Sequence, residues 1–192
     1  QRAVRISEIL KNPQQLSISL NALAGALQQR QQWDEAIAVL QRAVELAETS
    51  KNPQQLIISL NALGGALQQQ QRWDEAIAVL QRAVELAEAL ENPQQLIISL
   101  NALGGALQQR QQWDEAIVVL QRAIELDETL ENSQSLIIGL NTLGGVLQKR
   151  QRWDDAIAVL QRAVKIDETL ENPQSLSISL NALGGVLQQQ QR

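Results

Sequence analysis

The chain has 192 residues, a formal net charge of −5 and 44% hydrophobic residues, the balance of a folded protein rather than a disordered one. Net negative charge argues against duplex nucleic acid as a partner, because that affinity rests on Lys and Arg neutralising phosphates. No apolar run approaches the ~18 residues of a membrane span, so no membrane partner is expected. His, Cys, Met, Tyr and Phe are all absent. The chain therefore lacks the commonest general base, a thiol nucleophile and the usual transition-metal ligands; no catalytic residue, metal or cofactor is expected. The absence of Cys leaves the redox compartment open.

Residues 1–10, QRAVRISEIL, align with QRAVELAETS at 41–50 and QRAVELAEAL at 81–90. The chain thus starts halfway along a repeating unit. It ends at Arg192, in the connector after a unit's first half, and both boundaries fit a segment cut from a longer array. The unit is clearest over Leu60–Leu86, LNALGGALQQQQRWDEAIAVLQRAVEL, with near-copies starting at Leu20, Leu100, Leu140 and Leu180. Trp33, Trp73, Trp113 and Trp153 recur every 40 residues. A fixed period of this size marks a stacked array in which each unit buries its face on its neighbours. The expected domain is one array over 1–192: partial repeat 1–12, repeats 13–52, 53–92, 93–132 and 133–172, and partial repeat 173–192.

Each repeat predicts two helices. In the first, Pro53 to Gln70, Leu56, Leu60, Leu63 and Leu67 fall on one helical face. Asn52 suits the N-cap and Pro53 the first helical position; Asn-Pro recurs at 12–13, 92–93 and 172–173, and Asn132-Ser133 keeps the cap alone. The second, Asp74 to Leu90, carries a broad apolar face that includes Ile77, Leu80, Ala83 and Val84. Asp74 and Glu75 complement the exposed amides of its first turn, which explains the paired carboxylates without acid–base chemistry. Five first helices, four full second helices and one half helix give ten elements. The Gln-rich connectors, such as Gln68 to Gln71, read as solvated helix ends, with Arg30, Arg72, Arg110 and Arg150 beside them.

Gly64-Gly65 breaks the helix propensity of the first segment at about 1 kcal/mol per glycine. Close helix approach is the simplest reason. The first position tolerates a methyl group at Ala24, while the second is glycine at Gly25, Gly65, Gly105, Gly145 and Gly185.

These residues resemble the tetratricopeptide repeat family. Leu63-Gly64 matches its Leu-Gly pair, Trp73-Asp74-Glu75-Ala76 its aromatic-Asp-Glu-Ala run, and Leu80 and Ala83 its later packing positions. The 40-residue unit exceeds the usual ~34 and resembles the long form of Leu-Gly-Asn-type adaptors, kinesin light chains and the sensor arms of signalling NTPases. The resemblance implies an all-α, right-handed superhelical solenoid of antiparallel helix pairs and places the four Trp residues in the core. It also implies a groove, lined by the first helices, that takes a protein or peptide segment. By register the groove positions include Ile58, Ile98, Asn21, Asn61, Asn101, Asn141 and Asn181, and Gly65, Gly105 and Gly145. Gln68, Gln108 and Gln148, with Gln69, Gln109 and Lys149, complete the set. Asn at the Asn61 position resembles the ladder that long-repeat members use to hold a peptide backbone, a role suited to an amide's paired donor and acceptor. Chaperone-tail binders need Lys there and Asn at the next groove position, where this chain has Asn61 and Gly65, so a carboxylate clamp is not expected. The groove carries amides, Ile and Gly, with Lys149 as its exception, and a mostly uncharged extended ligand follows.

Two alternatives remain open. The array could be a structural module stacking head to tail, because Leu176, Leu180, Leu183 and Leu187 of the last first helix lack a following partner. It could also be engineered: repeats 53–92 and 93–132 differ only at 70, 72, 78, 84, 87 and 89. Scattered Ala/Val, Val/Ile and Ser/Gly exchanges fit drift after duplication better, and a natural source is expected.

Overall fold

A computed structural model describes residues 12–190, which form nine α-helices and no strand. In chain order these are α1 (Pro13–Gln29), α2 (Trp33–Thr49), α3 (Pro53–Gln69), α4 (Trp73–Ala89) and α5 (Pro93–Gln109). They continue as α6 (Trp113–Thr129), α7 (Ser133–Lys149), α8 (Trp153–Leu170) and α9 (Pro173–Gln190). Each lies within a residue of its expected span. The half helix expected over residues 1–10 lies outside the described residues.

The first helices begin as the sequence requires. Asn12, Asn52, Asn92, Asn132 and Asn172 accept the backbone N–H three residues on, at 3.0 to 3.4 Å. Four of these caps are followed by proline at the first helical position, where no amide donor is needed. The second helices have no side-chain cap. Instead the residue before each reaches forward to the acid three positions on: Arg72 grips Glu75 with two bonds of 2.7 and 2.6 Å. Gln32 and Gln112 donate to Glu35 and Glu115, both at 3.1 Å. The Arg72 guanidinium holds the Glu75 carboxyl below its ordinary value.

Helix ends follow a period half that of the repeat. Gln31, Lys51, Gln71, Glu91, Gln111, Glu131, Gln151 and Glu171 all have positive φ, between 49° and 66°. Each is a left-handed residue one or two places past a helix end, a position that glycine most often fills. Every described glycine has negative φ. The glycines therefore do not make the turns.

Contacts divide the chain into two compact units, residues 1–102 and 103–192, the division falling within α5. In the first unit α1 packs on α2, α2 on α3, α3 on α4, and α1 also meets α3. In the second, α6 packs on α7, α7 on α8, α8 on α9, and α7 meets α9. Short connectors between helices that pack side by side make neighbours antiparallel. The result is an all-α repeat solenoid. Its core repeats as well: Leu60, Leu67, Leu80 and Ala83 are at most 2% exposed, as are their counterparts Leu140, Leu160 and Ala163 in the second unit.

The four tryptophans depart from expectation. Trp33, Trp73, Trp113 and Trp153 are half-buried, not core. Each is the first residue of its helix and adjoins an exposed connector, which leaves part of the residue open to solvent.

Candidate functional site

The five first helices contain a single charged residue, Lys149; among the described residues the acids and all other bases lie on second helices and connectors. Heptad-like periodicity buries the leucines of the three inner first helices and leaves one isoleucine per repeat pointing outward. In the first unit these are Ile18, Ile58 and Ile98, 39 to 49% exposed. In the second they are Ile138 and Ile178, 56 and 62% exposed. Apolar side chains on an otherwise uncharged surface, one per repeat, are the exposed feature that most needs an explanation.

Three residues after each isoleucine comes the asparagine of the expected ladder. Asn21, Asn61, Asn101 and Asn141 are half-buried and Asn181 is exposed. The amides engage the scaffold itself. Asn21 Nδ2 donates to Ser59 Oγ of the next first helix at 2.9 Å, and Asn141 Nδ2 donates to Ser179 Oγ at 2.8 Å. The Oδ1 atoms of Asn21 and Asn141, and both polar atoms of Asn61, are shielded and have no hydrogen-bond partner. The ladder is therefore partly an inter-repeat clasp, and each clasped amide keeps an unused acceptor.

The glutamines behave similarly. Gln68 Nε2 donates to the Ala102 carbonyl at 3.2 Å, and Gln148 Nε2 donates to Gln189 Oε1 at 3.1 Å. Gln108 lies over Gly145, where an added Cβ would sit 3.1 Å from its Nε2. Gln69, Gln109 and Lys149 are exposed. Gly65 is exposed, and a Cβ there would meet nothing within 4 Å. Gly105 and Gly145 are half-buried. At each repeat the sequence-derived positions thus share one helix, but they differ in how far neighbouring side chains already use them.

Two buried acids escaped the sequence reading. Asp127 and Asp167 are fully shielded, at positions where earlier repeats carry Ala47 and Ala87. The available signal was an acid in the apolar register of a second helix. Among the described residues no cluster of His, Cys, Asp and Glu could hold a metal ion, and no helix is long and apolar enough to cross a membrane.

The tetratricopeptide repeat model matches residues 14–70, 55–129 and 135–192. The chain belongs to the tetratricopeptide repeat family. No curated protein matches it. Among solved structures it is similar to BtubC (BKLC) from P. vanneervenii, with a TM-score of 0.86 at 20% identity over 97% of this chain and 80% of that one. It is also similar to a putative kinesin light chain with nearly identical TPR-like repeats from Podosopora anserina, with a TM-score of 0.80 at 24% identity over 94% and 90%. A third is aspartyl phosphate phosphatase F from Bacillus subtilis, with a TM-score of 0.82 at 17% identity over 96% of this chain and 51% of that one. At these identities the likenesses show the fold. Tetratricopeptide repeats generally serve as non-catalytic protein–protein interaction scaffolds.

Proposed function

We propose that the chain is a non-catalytic protein-binding module that takes an extended, mostly uncharged peptide segment along its first helices. The observation that carries this reading is the distribution of charge and apolar exposure. Each first helix offers an outward isoleucine beside amide side chains, and Lys149 is the one charge in five such helices. A ligand with aliphatic side chains would cover the isoleucines. Its backbone would meet amides, which discriminate little among side chains. Gly65 adds open space on the same surface.

Such binding depends weakly on salt, because few charges are screened. A peptide-library pull-down at low and high ionic strength, with a triple Asn→Ala variant at 61, 101 and 141 beside the wild type, tests both parts. The expected result is retention at high salt by the wild type and loss by the variant. Binding that collapses with salt would overturn the uncharged-ligand reading. Equal recovery by both proteins would remove the asparagines from it.

A further inference from the structure

The last turn of each second helix holds a buried position that changes along the chain. It is alanine at Ala47 and Ala87 and aspartate at Asp127 and Asp167, and none of the four is more than 1% exposed. A carboxylate in such a place needs a donor, or ionisation there is costly. Asp167 has one: Ser179, twelve residues further on in α9, donates its hydroxyl to Oδ2 at 2.6 Å. The same hydroxyl oxygen accepts from Asn141 at 2.8 Å, so acid, hydroxyl and amide form a continuous relay from α8 through α9 to α7.

At the preceding joint the middle member is missing. Gly139 takes the place of Ser179 forty residues earlier and is buried in α7. No donor meets an Asp127 oxygen as Ser179 meets Asp167 Oδ2; the Ser135 hydroxyl supplies only a weaker interaction. Burial pushes the Asp127 carboxyl above its ordinary value, and the Ser135 hydroxyl offsets that only in part.

The charged surroundings do not rescue it. On α6 itself the charged neighbours are Glu125 and Glu128, and Glu131 follows in the turn; none of the three offers Asp127 a positive charge. The α5 helix has no charged residue, and α7 has only Lys149, fourteen residues beyond Ser135 and so ~21 Å along the helix. On α8, Arg162 is committed to Glu128 at 2.6 Å, and Lys165 is exposed.

We propose that Asp127 makes the α6–α7 joint proton-sensitive: closed when the carboxyl carries its proton, and opening more often when it is ionised. The sign follows from linkage. A carboxyl held above its unfolded value binds its proton more tightly in the folded joint. Stability is therefore full below the unfolded value and falls as pH rises through the folded one. Most paired carboxylates do the reverse. The α8–α9 joint, where Ser179 supplies the hydroxyl, is the internal contrast.

Backbone amide hydrogen exchange of the full chain, corrected for intrinsic rates, tests this from about pH 4 to about pH 8, the range that brackets ordinary and raised carboxyl values. In the wild type, opening of α7 amides is expected to rise with pH. The rise is about tenfold for each unit by which the folded value exceeds the unfolded one. Asp127→Ala, which restores the residue found at Ala47 and Ala87, should flatten that trend and leave α7 protected throughout. Gly139→Ser, which restores the hydroxyl found at Ser179, should reduce the trend while keeping the acid. A wild-type trend that survives in Asp127→Ala would overturn the proposal, as would wild-type α7 opening no faster at neutral than at acid pH. A carboxyl ¹³C titration of Asp127 at or below the ordinary aspartate value would do the same independently of stability. Gly139→Ser with an unchanged trend would overturn the role given to the missing hydroxyl.

Discussion

Two adjacent glycines, Gly64 and Gly65, lie in opposite surroundings. A Cβ on Gly64 would fall 2.6 Å from Leu80 Cγ and 2.7 Å from Leu80 Cδ2. A Cβ on Gly65 would meet nothing within 4 Å. The first glycine lets α3 and α4 close on each other, and Gly104 and Gly144 repeat the contact with Leu120 and Leu160 at 2.5 Å. The second opens onto the surface proposed to bind peptide. One residue of helix rotation, about 100°, separates a packing glycine from a surface one. Their shared chemistry conceals two different constraints.

The strongest way to break this contrast is to empty the packing side. Leu80 is fully buried, and Leu80→Ala should cost about 2–5 kcal/mol of local stability, measured by denaturant titration or exchange of α3 and α4 amides. Gly64→Ala comes next. The clash involves Leu80 Cγ, close to the backbone, so the helices must shift. Overpacking of about 1–3 kcal/mol is relieved by up to about 1 kcal/mol of helix propensity. Ala24 at the equivalent place in α1, 1% exposed and followed by a fully buried Leu40, shows that the fold accommodates the methyl group rather than failing. Combining Leu80→Ala with Gly64→Ala should cost less than the sum, because each change makes room for the other. Strict additivity would mean that Leu80 is not what confines Gly64.

The packing role of Gly64 was legible in the sequence, as were the repeat length, the Asn caps and the apolar stripes, because all follow from spacing along one helix. What escaped depends on contacts across repeats or on backbone states that residue type conceals. Helix ends at Gln71 or Glu91 adopt a left-handed conformation without Gly or Asn to announce it. The half-buried tryptophans reflect their place at a helix start, which periodicity does not register. At the candidate site the asparagine register was legible, but its use was not: Asn21 and Asn141 reach serines thirty-eight residues away. The Ser-to-Gly exchange at Gly139 read as drift, and its consequence emerges only opposite the buried Asp127. Differences between copies are informative where two elements pack, and a pattern read along one element cannot show that.

The smallest expected effect lies on the surface side. Gly65→Ala adds a methyl group to open space in a helix interior and should stabilise the first unit by about 1 kcal/mol, through helix propensity and a less flexible unfolded chain. Gly145→Ala should gain less, since its Cβ would approach Gln108 Nε2 at 3.1 Å and displace that side chain. The comparison sharpens when stability and peptide binding are measured on the same proteins. If a ligand backbone crosses Gly65 closely, the stabilised variant binds more weakly, a split that a purely structural glycine would not produce. If stability rises and binding is unchanged, the ligand does not approach that point. The isoleucines and amides would then carry the contact without the glycine floor.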